Sequence, residues 1–295
     1  MPKKEKKKKK SWKERQRERQ IRQQRAREAY RIQKEREAER KPRKWPKGKI
    51  LGAICLLVLI FGAYGAWQYT KPSAILEEPP PLTPTGGAIY IRADGLVDPS
   101  TASILNVGNI YYTFTADIHD LIVIERDNIV VDGANYTLQG TGGSDSKGID
   151  LTGRTNVTIT NIKIKAFDYG VYLYSASHSV LSQNDLTNNN YGIYLEYSSN
   201  NTVNGNGITN NQCGIELYES SNNRNYHNNF IDNAEQAYSY ASTNVWDDGY
   251  PSGGNYWSDY EERYPDADEL GGSGIWDTPY VIDENNQDNY PLMNL

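Results

Sequence analysis

The chain has 295 residues and a formal net charge of −5, enough for one sizeable domain with appendages. The charge is split: 23 of the 32 Lys and Arg but only 7 of the 37 Asp and Glu precede Ile50, so a basic arm is joined to an acidic body. Two cysteines exclude a disulfide framework, and 23 Tyr and 25 Gly against 4 Phe suit strands and tight turns better than a helical core.

Residues 2–10 are almost all lysine and repel one another. Ser11 and Glu14 have capping-box spacing, Glu18 and Arg22 stand at i,i+4, and Pro42 stops the run, which predicts an exposed, charged helix within a cytoplasmic arm over residues 1–49. Beside a membrane segment such an arm suits anionic lipid heads better than RNA, and no specific nucleic-acid partner is expected. From Ile50 to Tyr69 no formal charge occurs, which is enough for one transmembrane helix across a core of about 30 Å. Trp45, Trp67 and Tyr69 sit where interfacial aromatics belong, and the positive-inside rule keeps the N-terminus in the cytoplasm and the C-terminal domain outside. Ala63 and Gly65 also form a passable signal-peptidase site, but the preceding arm is far longer than an ordinary n-region, which favours an uncleaved anchor. Pro79, Pro80, Pro81 and Pro84 mark residues 70–87 as a semi-rigid stalk.

Short β-rich pieces follow at 89–91, 111–115, 121–125 and 128–133. One phrase then returns every 22 residues: GIDL at 148, GVYL at 170, GIYL at 192 and GIEL at 214. Such a period marks a solenoid, whose units must stack to build a core. Ile149, Val171, Ile193 and Ile215 form one inward column and Leu151, Leu173, Leu195 and Leu217 a second, because side chains two apart share a strand face. Ile159, Leu181 and Val203, and Ile164, Leu186, Ile208 and Phe230, continue the pattern. A leucine-rich repeat has a similar unit, but the Ser, Asn, Thr and Gly of the return segments favour three short strands per coil, an all-β parallel β-helix over 88–240. Asn184, Asn206 and Asn228 keep the period and predict an amide ladder. Asn225 stands where an aliphatic residue is due and Phe230 is bulkier than its column mates, so regular stacking is expected to end near them. Trp246, Tyr250, Tyr256, Trp257, Tyr260, Tyr264, Trp276 and Tyr280 make residues 241–295 an aromatic-rich C-terminal cap, and 86–120 should cover the other end.

The coils with GIYLEYSSNNTVNGNGITNN, followed by WDDGYPSGGNYWSDY and DTPYVIDENNQDNYPLM, resemble archaeal surface proteins with NosD-like repeats, a branch of the pectate-lyase-like superfold. The resemblance covers about residues 88–295. It implies a right-handed coil, an extracytoplasmic location, carbohydrate contact and, from the NosD name, copper handling. His119, His178 and His227 offer no ligand spacing with Cys or Met, so copper is not expected. Enzymes of the superfold act on acidic polysaccharides with clustered carboxylates and a basic residue, which would make this a lyase, hydrolase or epimerase. Arg154 and Arg224 fall in turns, Asp150 lies near Arg154 as a surface contact, and no coil sets two carboxylates beside a Lys or Arg in adjacent rungs. No catalytic residue is assigned.

The favoured reading is a non-catalytic surface protein that binds a glycan or a surface-layer partner. Asp150, Tyr172, Tyr194 and Glu216 form one outward column, and Thr152, Tyr174, Glu196 and Tyr218 the next, a set suited to stacking on sugar rings. Asp247, Asp248, Asp259, Asp266, Asp268 and Asp277 are weak calcium candidates without a complete loop signature. Asn135, Asn156 and Asn200 open glycosylation sequons. The oligomeric state is not legible.

Overall fold

The computed structural model describes residues 87–295; the basic arm, the apolar segment 50–69 and the stalk up to residue 86 lie outside the described residues. Among the described residues no helix is long and apolar enough to cross a membrane. Alternation of aliphatic and polar residues makes each short segment a strand with one face inward, and Asn or Gly at positive φ turns the chain between strands.

The first coil holds β1 (Ala88–Ile91), β2 (Val97–Asp98), β3 (Ile104–Val107) and β4 (Tyr111–Phe114), and the second β5 (Leu121–Ile124), β6 (Ile129–Asp132) and β7 (Thr137–Gln139). Four regular coils follow. These are β8 (Lys147–Asp150), β9 (Val157–Thr160), β10 (Lys163–Lys165); β11 (Tyr169–Tyr174), β12 (Val180–Ser182), β13 (Asp185–Thr187); β14 (Tyr191–Glu196), β15 (Thr202–Asn204), β16 (Gly207–Thr209); and β17 (Cys213–Tyr218), β18 (Arg224–Tyr226), β19 (Asn229–Ile231). A partial last coil has β20 (Glu235–Tyr240) and β21 (Tyr256–Trp257), and the chain closes with α1 (Tyr260–Arg263) and the hairpin β22 (Tyr280–Asp283) and β23 (Asn286–Asp288).

Three sheets run along this right-handed parallel β-helix. Sheet A is β2-β1-β5-β8-β11-β14-β17-β20, sheet B is β3-β4-β6-β9-β12-β15-β18, and sheet C is β7-β10-β13-β16-β19-β21. The pairing is in register: Ile149, Val171, Ile193, Ile215 and Ala237 lie one above another at 22-residue steps. The early coils are longer, since Ile89 pairs with Ile122 and Ile122 with Ile149. The extra length is the antiparallel additions β2 and β3 in the first coil and the polar segment 141–147 in the second.

The predicted inward columns are fully buried from Ile149 to Leu217. At about 25 cal/mol per Å² of apolar surface, this stacking rather than any single coil supplies the stability. The glycine that opens each phrase has a packing reason: a Cβ on Gly170 or Gly192 would stand 2.5 Å from the carbonyl oxygen of the glycine one coil on.

The regular 22-residue stacking ends near Asn225 and Phe230 as expected, since sheet B stops at β18 and the next step of sheet C, from Phe230 to Trp257, is 27 residues, but an aromatic stack continues the column. Trp257 pairs in register with Phe230 and stacks on it at 4.4 Å, and Tyr280 stacks on Trp257 at 4.0 Å. The aliphatic column Ile164, Leu186, Ile208 thus turns aromatic where the solenoid needs a lid. Asn225 does occupy the aliphatic position above Val203, fully buried, and neither polar atom of its side chain meets a partner among the described residues.

The amide ladder exists and is one of several. Asn206 Oδ1 accepts from Asn184 N and Nδ2 at 3.0 Å, and Asn206 Nδ2 donates to Asn228 Oδ1 at 2.9 Å. Asn189, Asn211 and Asn233 form a second ladder and Asn201, Asn223 and Asn244 a third, while Ser198, Ser220 and Ser242 accept the backbone N–H of the coil below. Each ladder gives the turn amides partners that buried turns would otherwise lack.

Candidate functional site

The outer face of sheet A carries three columns that in-register pairing builds. Lys147, Tyr169, Tyr191, Cys213 and Glu235 form the first, and Asp150, Tyr172, Tyr194, Glu216 and Tyr238 the second. The third is Tyr174, Glu196, Tyr218 and Tyr240.

The predicted column is outward but is not an open platform. Tyr172 and Tyr194 stack on each other at 5.7 Å, and Tyr169 and Tyr191 at 5.1 Å, with edge-to-face contacts of 5.2–5.3 Å between the two pairs. Lys147 Nζ lies 3.9 Å from the Tyr172 ring centroid and also bonds Asp150 at 3.0 Å. Tyr194 and Glu216 are buried. Burial pushes the Tyr169 hydroxyl up to about 12, and burial followed by the adjacent Glu196 carboxylate pushes that of Tyr172 higher still. The ring faces that a sugar would need are spent on neighbouring rings, because identical side chains in register sit one strand spacing of about 4.8 Å apart.

The open aromatic surface lies one column over. Tyr174 is 38% and Tyr197 47% exposed. Tyr197 meets Tyr174 edge-on at 5.8 Å and Tyr218 at 6.2 Å, and Tyr218 stacks on Tyr240 at 5.0 Å. Glu196 stands in the same column and accepts from Tyr172 Oη at 3.4 Å, while the nearby Glu219 carboxylate raises the pKa of the Tyr197 hydroxyl. The exposed rings of Tyr174 and Tyr197 can pack on apolar ring faces, and the neighbouring carboxylates can accept hydroxyl hydrogens. Tyr197 and Tyr240 escaped the sequence reading. Tyr197 occupies the left-handed turn position shared with Ser175, Glu219 and Ala241, one residue past the strand. Its signal was an aromatic residue at a turn position otherwise filled by small or acidic side chains.

The acids of the cap are not gathered. Asp247 accepts from Gly249 N and from Asn289 N and Nδ2, Asp248 pairs with Arg224 at 2.7 Å and accepts from Ser252, and Asp259 accepts from Tyr280 Oη and Gln236 Nε2. Asp277 Oδ1 accepts from Asp268 N, and Asp266 is exposed. The carboxylates of Asp247, Asp248, Asp259 and Asp277 hold loops. The sequon residues Asn135, Asn156 and Asn200 are all exposed at positive φ, and Asn156 and Asn200 occupy the same turn two coils apart.

Asp150 pairs with Lys147 rather than with Arg154, whose guanidinium donates to Glu125 O and lies 3.4 Å from Asp127. A second correction concerns paired acids: Arg92 does lie between two carboxylates, Asp98 at 2.5 Å and Glu125 at 3.2 Å, with Glu125 on the adjacent rung. The antiparallel strand β2 brings Asp98 there, which no coil repeat could signal.

Three in-register sheets, amide ladders and a capped end define a right-handed parallel β-helix protein. The family model described as the periplasmic copper-binding protein NosD matches residues 95–262, and the chain belongs to that family. No curated protein and no solved structure gives a significant match.

Copper does not fit the residues present. His119 precedes β5, His178 and His227 sit in different turns, and Cys213 is buried in β17 with its thiol pKa raised by burial. Among the described residues no three His, Cys, Asp or Glu converge on a point that could hold a metal ion, so no step is routed through copper.

Proposed function

We propose that this protein is a membrane-anchored, extracytoplasmic β-helix that binds glycans or cell-surface partners without catalysis. The family's description as periplasmic supports the location, and the split between basic arm and acidic body supports the orientation. The observation that carries the binding role is the pair of exposed rings Tyr174 and Tyr197 beside Glu196 and Glu219 at the edge of a rigid sheet. Sheets of this kind hold side chains at fixed spacings, so a repeating ligand can meet a repeating surface at little ordering cost.

A glycan array probed with the full chain in detergent, together with a product assay on acidic polysaccharides, tests this. Retained fold with binding lost in Tyr197→Ala plus Tyr218→Ala supports the reading. Turnover abolished by a single carboxylate substitution would replace it with a polysaccharide lyase, hydrolase or epimerase.

A further inference from the structure

Exposed large apolar side chains gather on one part of the domain. Leu96 (60% exposed), Leu105 (55%), Val107 (54%), Ile110 (47%) and Tyr111 (56%) fall within 16 consecutive residues of the first coil. The pairing of β3 with β4 sets Val107 opposite Tyr111 and Leu105 opposite Thr113, and Tyr111 lies beside Val130 on β6. Since Tyr112 and Phe114 point into the core, Leu105, Val107 and Tyr111 share the solvent face of sheet B, with Ile110 in the turn and Leu96 in the neighbouring loop. Further along the same row of sheet B the residues are Thr158, Val180, Thr202 and Arg224, a single aliphatic side chain among polar ones.

This patch is held rather than floppy. Asn106 Nδ2 and Tyr112 Oη both donate to Gly95 O at 2.8 Å, and the Arg126 guanidinium donates to Asn109 O and Ala93 O at 3.0 and 2.8 Å. Those bonds fix the Leu96 loop to the Ile110 turn. A contiguous exposed apolar patch of this kind marks an interaction surface. It sits at the end of the solenoid where the chain enters, since β3 is the terminal strand of sheet B.

We propose that this patch rests on the lipid bilayer, at the boundary between headgroups and acyl chains, and seats the solenoid on the membrane by its base. The proposal rests on reading residues 50–69 as a membrane anchor. Seventeen residues separate Tyr69 from Gly87. Whatever their conformation, 17 residues reach at most about 60 Å, at no more than about 3.6 Å per residue, so the bilayer is the apolar surface the tether keeps within reach. A tethered contact works at an effective concentration in the millimolar range, so a weak patch suffices. Tyr111 at its edge is the residue type that favours the interface. Neighbouring Arg92 is paired with Asp98 and Glu125, and the Arg126 guanidinium donates to two backbone carbonyls.

The test uses the full chain carrying Cys55→Ser, reconstituted in phosphatidylcholine vesicles, with a nitroxide at Val107→Cys or, as a second variant, Tyr111→Cys. A nitroxide at Tyr250→Cys, on the exposed C-terminal cap, is the reference. Cys213 is buried and stays unlabelled. Accessibility to oxygen, which partitions into lipid, relative to a water-soluble nickel complex should be several-fold higher at positions 107 and 111 than at 250. It should fall when Leu96 and Ile110 are changed to Ser. Equal water exposure at all three positions, in chain that floats with the vesicles, overturns the patch proposal and leaves the anchor reading standing. Failure to float overturns both. Dipolar coupling between labels at 107 of two molecules assigns the patch to a second copy and overturns the lipid assignment.

Discussion

Asp288 stands to Asn255 as each ladder asparagine stands to the one below it. Asn255 donates its backbone N–H to Asp288 Oδ2 at 2.6 Å and its Nδ2 to the same oxygen at 3.3 Å, the pattern Asn228 makes with Asn255 Oδ1 at 3.0 Å. The carboxylate ends the ladder because it accepts and has no onward N–H to satisfy. Trp257 Nε1 also donates to Oδ2 at 3.0 Å and Tyr290 N to Oδ1, so the hairpin of β22 and β23 locks the aromatic lid and the amide ladder with one side chain. On the neighbouring ladder Asn286 Oδ1 accepts from Asn244 N at 2.9 Å and from Trp246 Nε1 at 3.2 Å, while Asn244 Nδ2 meets no partner among the described residues.

Burial drives the Asp288 pKa up to about 7, outweighing those four N–H donors. An acid whose folded pKa is raised holds its proton more tightly when folded, so its contribution is fully favourable below the unfolded value of about 4 and is lost as pH rises through about 7. The expected outcome is a cap that is on the order of 2–3 kcal/mol more stable at pH 5 than at pH 8 and melts at a correspondingly higher temperature. Asp288→Ala should lose this pH dependence and cost about 2–5 kcal/mol through stranded donors. Thermal melts followed by tryptophan fluorescence read both, and a flat pH profile in the parent chain would contradict the assignment.

Asn225 occupies an aliphatic column with its amide unpartnered. Replacing it by Val, the residue one coil below, should stabilise the fold by about 1–3 kcal/mol, the cost of an unmet buried polar group. A lower melting temperature in Asn225→Val would show that the amide has a partner in solution.

In Asn206→Ala, mid-ladder, the variant removes the acceptor of Asn184 N and Nδ2 and three donor contacts, to Leu181 O, Asn204 O and Asn228 Oδ1. A loss of about 2–4 kcal/mol is expected by chemical denaturation, as buried groups are left unmet.

Gly192→Ala meets a backbone carbonyl that no rotamer change can move, 2.5 Å from the new Cβ. Neighbouring coils must part, so the expected cost exceeds the roughly 1 kcal/mol benefit of replacing Gly by Ala in an unstrained strand. A melt that matches the parent would mean the coils can separate locally without penalty.

The two tyrosine columns should separate stability from binding. Tyr194→Ala removes a buried ring stacked on Tyr172 and should cost about 3–5 kcal/mol. Tyr197→Ala, half-exposed at the turn, should cost less than about 1 kcal/mol and reduce ligand binding about tenfold or more. Denaturation curves beside binding isotherms for the two variants check the assignment.

By itself the sequence determined the coil. A 22-residue period with Ile and Leu two apart leaves only in-register parallel stacking, because any shift would expose an aliphatic column, and the Asn184, Asn206 and Asn228 ladder follows from the same period. What only the tertiary structure decided lies where the period breaks or where neighbours on the outer face compete for one another. Spacing shows that Tyr172 and Tyr194 point outward but not that Tyr169, Tyr191 and Lys147 cover them, because that depends on side-chain packing across columns. Asp98 beside Arg92 and Asp288 above Asn255 come from antiparallel hairpins at the two ends, contacts that follow the caps' own paths and carry no repeat to announce them.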